Sequence, residues 1–87
     1  MSATIRRLCL TWAEEQVLRR IAQAAPDGGR VVVSALADKA HVSRSAAIIA
    51  LRKAAVGGVV EARNLGSKGT HIAVLDADAW AEIGRSA

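Results

Sequence analysis

Residues 33–70 hold two short helical patterns joined by a tight turn, then two β-branched runs around a glycine-containing loop. That order leaves a chain of this length few folds to adopt. The first pattern, residues 35–40, has Ser34 as its expected N-cap. His41-Val42 turns the chain, and Ser43 caps a helix running to about Val56. Gly57-Gly58 stops it, because glycine enters the left-handed C-terminal conformation without strain. Val59–Arg63 and Thr70–Leu75 flank the six-residue loop Asn64–Gly69 with its two glycines, which predicts a wide β-hairpin. Two helices crossing at a sharp angle need a small residue inside the first and apolar residues at fixed offsets. Ala37 is that small residue, and Leu36, Ala40, Val42, Ala47 and Ala50 fill the positions expected to be buried.

The flanks complete a single domain. Thr11-Trp12-Ala13-Glu14 has capping-box form, and Val17, Leu18, Ile21, Ala22 and Ala25 repeat at helical spacing up to Pro26-Asp27-Gly28-Gly29. Val31–Val33 are expected as a short strand. Asp76 caps a final helix that contains Trp80 and Ile83 and is expected to end at Gly84. Residues 1–10 are an N-terminal arm or frayed helix, and residues 11–87 form the domain. The fold class is α+β, a winged helix-turn-helix with a three-helix core, a small antiparallel β-hairpin wing and a C-terminal helix. A hydrophobic fraction of 52% excludes disorder, but much of it is alanine. The core is therefore expected to be thin, with Trp12 and Trp80 as its large anchors and Cys9 as a small apolar filler.

Charge placement points to a partner. The chain carries +4, and from Ser43 to His71 the bases Arg44, Arg52, Lys53, Arg63 and Lys68 stand against Glu61 alone. The remaining seven basic and seven acidic residues cancel. A localised excess of this sign is the footprint of a surface that docks on phosphates. On a helical wheel Ala47, Ala50, Leu51 and Ala54 share one face, while Ser45, Ile48, Ile49 and Arg52 occupy the other, with Ser43 and Arg44 at the N-terminal end. Such an arc suits a major groove. Arg44 can donate two hydrogen bonds to guanine, Ser43 or Ser45 can reach a base edge or phosphate, and Ile48 or Ile49 can lie on thymine methyls. Arg52 and Lys53 are placed for phosphates. Arg63, Lys68 and His71 belong to the wing and are expected on the flanking backbone.

Other chemistries find little support. Cys9 is the only cysteine, so no internal disulfide forms. With His41 and His71 it offers no metal-ligand spacing. Ser34, His71 and Asp76 supply the residue types of a serine triad, but no nucleophile motif frames them; Asp76 and Asp78 suit a helix cap and a first-turn charge. No enzyme activity, cofactor or metal is expected. No apolar run approaches the roughly 18 residues of a membrane span, and no signal-peptide core follows Arg6-Arg7, so a cytoplasmic, nucleoid-associated protein without membrane contact is expected.

The matching residues Ala37-Asp38, Arg44-Ser45, Ala50-Leu51-Arg52-Lys53, Gly58-Val59, Glu61, Arg63, Leu65-Gly66 and Lys68-Gly69-Thr70 resemble the C-terminal winged helix of the CodY family of bacterial transcriptional regulators. The resemblance covers about residues 32–75 and extends loosely back to Leu10; the wing stretch Arg63–Thr70 is its most specific part. It implies a sequence-specific repressor of transcription, acting as a homodimer on double-stranded DNA at A·T-rich inverted repeats. Three departures matter. His41 stands where the family has the turn glycine, and Ile49 replaces an asparagine on the presumed reading face. The family's N-terminal domain, which senses branched-chain amino acids and in some members GTP, has no counterpart in these residues, so no small-molecule effector site is expected. Two other readings stay open: a winged-helix protein-interaction module without DNA binding, seated around Ile48 and Ile49, and a binder of structured RNA.

Overall fold

The computed structural model describes residues 3–85, with side chains from residue 5. Helices α1 (Ala3–Leu8) and α2 (Trp12–Ala24) lead into strand β1 (Gly29–Val31). Helices α3 (Val33–Lys39) and α4 (Arg44–Val56), strands β2 (Val60–Asn64) and β3 (Thr70–Val74), and helix α5 (Ala77–Arg85) follow. The strands form one antiparallel sheet in the order β1-β3-β2. This is the expected α+β winged helix-turn-helix, with β1 as an added third strand on the wing.

Local chemistry sets most boundaries. The Thr11 hydroxyl accepts from the Glu14 amide and the Glu14 carboxylate accepts from the Thr11 amide, a complete capping box. Ser43 Oγ accepts from the Ala46 amide at 3.1 Å, and Asp76 Oδ1 accepts from the Ala79 amide at 3.1 Å. Both α3 and α4 end in paired 6→1 and 5→2 backbone bonds, with His41 (φ 58°) and Gly58 (φ 76°) in the left-handed position.

Several expectations shift. Ser34 is not a cap: α3 starts at Val33, and the Val32 carbonyl accepts from the Leu36 amide at 3.2 Å. The valine run therefore divides, Val31 ending the strand and Val33 being buried in the first turn of α3. The strand starts instead at Gly29. A Cβ on the preceding Gly28 would come within 2.6 Å of the Ile72 carbonyl oxygen, so the glycine lets β1 approach β3. Gly84 does not end α5; it lies within it beside Ala22, and its carbonyl accepts from Gln23 Nε2 at 3.0 Å.

The core joins Val17, Leu18 and Ile21 of α2 to Ala47, Ala50 and Ala54 of α4, to Ile72 of the sheet and to Trp80 and Ile83 of α5. Trp80 is fully buried, and its indole N–H donates to the Ala25 carbonyl at 2.8 Å. Ile5 and Leu8 of α1 are also buried in this core. Trp12 is not an anchor, because it is 72% exposed on the side of α2 away from Val17, Leu18 and Ile21. Nor does Cys9 fill the core; it is exposed, in a left-handed turn (φ 55°) between α1 and α2.

Candidate nucleic-acid interface

Helix α4 buries Ala47, Ala50, Leu51 and Ala54 and turns Arg44, Ser45, Ile48, Ile49 and Arg52 outward. The buried stripe is narrow and mostly alanine, so the helix lies close to α2 while its opposite arc stays free. Ile48 and Ile49 are 44% and 40% exposed, so α4 hides neither of them.

Two clefts flank α4. One, of about 490 Å³, lies between α4 and the wing and is lined by Arg44, Ile48 and Arg52 on one side and Asn64, Ser67 and Thr70 on the other. The second, of about 320 Å³, lies between α4 and α1 and is lined by Ile49, Arg52, Val56 and Arg7. Ile48 therefore faces the wing and Ile49 faces α1, while Arg52 borders both. Among the described residues, no acidic side chain lines either cleft.

The wing tip is a single 3-10 turn, Gly66–Lys68, with Lys68 exposed. Asn64 Oδ1 accepts from the Gly66 amide at 2.8 Å and braces the entry to the turn. Side chains alternate along each strand, so the two faces of the wing differ. Ala62, Asn64 and Thr70 face the cleft, whereas Arg63 and His71 pair across the strands on the other face.

Lys53 departs from its expected role beside Arg52. Its ammonium lies 2.6 Å from Glu14 Oε1 and 2.9 Å from the Cys9 carbonyl oxygen, which fastens α4 to the turn between α1 and α2. Burial acts to raise the Glu14 pKa, but the Lys53 bond and charge and the hydrogen bonds with Thr11 outweigh it. The carboxyl ends below the ordinary glutamate value. Ser43 spends an acceptor site on its cap and keeps its hydroxyl proton free to donate.

Two basic residues near these elements are absent from the sequence expectation. Arg7 reaches the end of α4, where its Nη2 lies 3.5 Å from the Gly57 carbonyl oxygen. Arg30 stands across from His71 on β1. The Arg6-Arg7 pair was visible in the chain, but nothing local in sequence placed it against α4. The pairing of β1 with β3 had no local signal at all.

Residues 27–85, more than half of the chain, match the family described as the CodY helix-turn-helix domain. The chain belongs to this CodY family. Curated relatives carry the name global transcriptional regulator CodY. That of Clostridium perfringens (strain SM101 / Type A) is 41% identical over 68 residues, covering 77% of this chain and 26% of the relative. That of Caldanaerobacter subterraneus subsp. tengcongensis is 41% identical over 68 residues, covering 77% and 27%. That of Clostridium botulinum (strain Hall) is 50% identical over 48 residues, covering 55% and 19%. The chain thus spans about a quarter of the length of the CodY relatives it matches. The family match begins at residue 27, so α1 and α2 lie outside it, whereas the helix-turn-helix, both clefts' α4 walls and the whole sheet lie within it.

Proposed function

We propose that this CodY-family chain is a sequence-specific double-stranded DNA-binding transcriptional regulator, acting as a repressor. Helix α4 enters the major groove, and the wing, residues 63–71, rests on the flanking backbone. The observation that carries this reading is the outward arc of α4: Arg44, Ile48 and Arg52 stand beside an acid-free cleft whose far wall is the wing, and Ile49 is exposed next to them on the α1 side. Cations on such a surface replace counterions on phosphates, while Arg44 and the isoleucines are the groups able to distinguish bases.

In this reading Arg44 contacts guanine, and Ser43 or Ser45 contacts a base edge or phosphate. Ile48 and Ile49 lie on thymine methyls, while Arg52, Arg63, Lys68 and His71 contact the backbone. Lys53 acts indirectly, holding α4 in place through Glu14. One helix-turn-helix makes few base contacts, so two copies on an A·T-rich inverted repeat supply the affinity and match its two-fold symmetry.

The test is fluorescence anisotropy with an A·T-rich inverted-repeat duplex and its scrambled counterpart across a salt series. Preference for the repeat that persists to ~150 mM salt is the expected result. Arg44→Ala should cost on the order of 1–3 kcal/mol and relax the choice of sequence, whereas Lys68→Ala should weaken both duplexes alike. No duplex binding at low salt would overturn the reading in favour of a protein-interaction module.

A further inference from the structure

The sheet brings Arg30 beside two basic residues of the wing hairpin that are more than 30 positions away in sequence. Arg30 of β1 pairs across from His71 of β3, and His71 pairs across from Arg63 of β2. All three side chains are exposed. They occupy the face turned away from α4, since Ala62, Asn64 and Thr70 take the face that lines the cleft. Adjacent strands lie about 4.8 Å apart, so the row from Arg30 to Arg63 spans roughly 10 Å. Glu61 shares this face, further from the tip and opposite Ala73.

Such a row contributes little to folding. Basic side chains set beside one another across a sheet do not attract, and here no acid stands between them. An anion on the outside makes the same arrangement favourable. Each strand of a duplex presents a regular series of phosphates, so a row of roughly 10 Å can meet about two of them. Arginine's planar fork suits phosphate oxygens at both ends of the row.

We propose that Arg30, His71 and Arg63 form a second phosphate-contacting row on the outer face of the wing, with Arg30 as a binding residue contributed by β1. This rests on the DNA-binding reading above and adds a second backbone strand to it. One strand lies in the cleft between α4 and the wing, by Arg44 and Arg52, and the other crosses the outer row. The wing is held between the two strands.

The test compares wild type, Arg30→Ala, Arg30→Lys and Arg20→Ala, the last removing an exposed charge from α2 outside both clefts. Duplex affinity is measured by anisotropy across a chloride series on the inverted-repeat and scrambled duplexes, and melting temperature is measured without DNA. Arg30→Ala should weaken both duplexes about threefold to tenfold and lower the slope of log affinity against log salt by about 0.9, without lowering the melting temperature. Arg30→Lys should keep the slope, and Arg20→Ala should change nothing.

Wild-type binding with Arg30→Ala indistinguishable from Arg20→Ala would overturn this inference alone. A wild-type chain that binds no duplex would overturn the DNA-binding reading and the row with it. Potassium phosphate separates the remaining source of the same chemistry. If it raises the melting temperature at matched ionic strength through Arg30, yet Arg30→Ala leaves duplex binding intact, the row is a free-anion site and the proposal fails.

Discussion

The Lys53 ammonium lies 2.6 Å from the Glu14 carboxylate, tying the last turns of α4 to the first turn of α2 across 39 positions of sequence. The same carboxylate closes the α2 capping box, and the same ammonium donates to the Cys9 carbonyl. Glu14→Gln should remove the charge from both bonds while keeping the shape. The expected loss is about 1–2 kcal/mol at neutral pH, at the low end for a charged hydrogen bond because Lys53 is one-third exposed. The Glu14 pKa is lowered on folding, so its contribution is fully present above the unfolded value, roughly 4.3, and fades as pH falls through the folded value. Melting curves of wild type and Glu14→Gln from pH 7 downward should converge in acid. Parallel curves at every pH would show that the charge contributes nothing.

The two tryptophans should report opposite environments. Trp80 is sealed in the core with its N–H bonded to Ala25, and Trp12 is largely in solvent. In a Trp12→Phe variant the remaining emission should be blue-shifted and resist iodide quenching; in Trp80→Phe it should be red-shifted and quench readily. Trp80→Ala should cost about 3–5 kcal/mol, a loss large enough to threaten folding of a small domain, whereas Trp12→Ala should change stability by less than about 0.5 kcal/mol.

His41 holds φ 58° at the end of α3, a conformation that costs a residue with a Cβ about 1 kcal/mol or more. Chemical denaturation should rank the position Gly at or above Asn, then His, then Val. Glycine should gain no more than about 1 kcal/mol because it also loosens the unfolded chain. A valine variant as stable as wild type would mean that the turn relaxes by another route.

Gly69 has φ 99°, and a Cβ there would sit 2.5 Å from the Val31 carbonyl oxygen. That neighbour is backbone and cannot step aside. Gly69→Ala should separate β1 from β3 at the end of the sheet next to the wing tip, costing about 2 kcal/mol or more. Amide exchange should quicken in β1 before it does in α2 and α4. Unchanged protection in β1 would place the strain elsewhere.

What the sequence disclosed was mostly local. Thr11, Ser43 and Asp76 act within three residues of their partners, so their caps were legible from spacing alone. The alanine stripe of α4 was legible from its period. Trp12 was also decidable, since the helical phase of Val17, Leu18 and Ile21 puts it on the opposite side; its size and apolar neighbours concealed this. Ser34 failed as a cap because the chain had already turned helical at Val33, its backbone position fixed by the sheet before it. Lys53 and Arg30 were beyond local reading. The first depends on where Glu14 lies in space, and the second on a strand pairing with no neighbouring signal.

Strand β1 is bonded to β3 on one side and followed at once by α3 on the other. The wing and the helix-turn-helix are therefore joined through backbone, and the gap between them has the stiffness of a caliper set to one opening. In the DNA-binding reading proposed above, the backbone strand seated there has to come to that width. That reading then expects sequences whose grooves already match it, or bend to it cheaply, to be favoured at base pairs that no side chain touches.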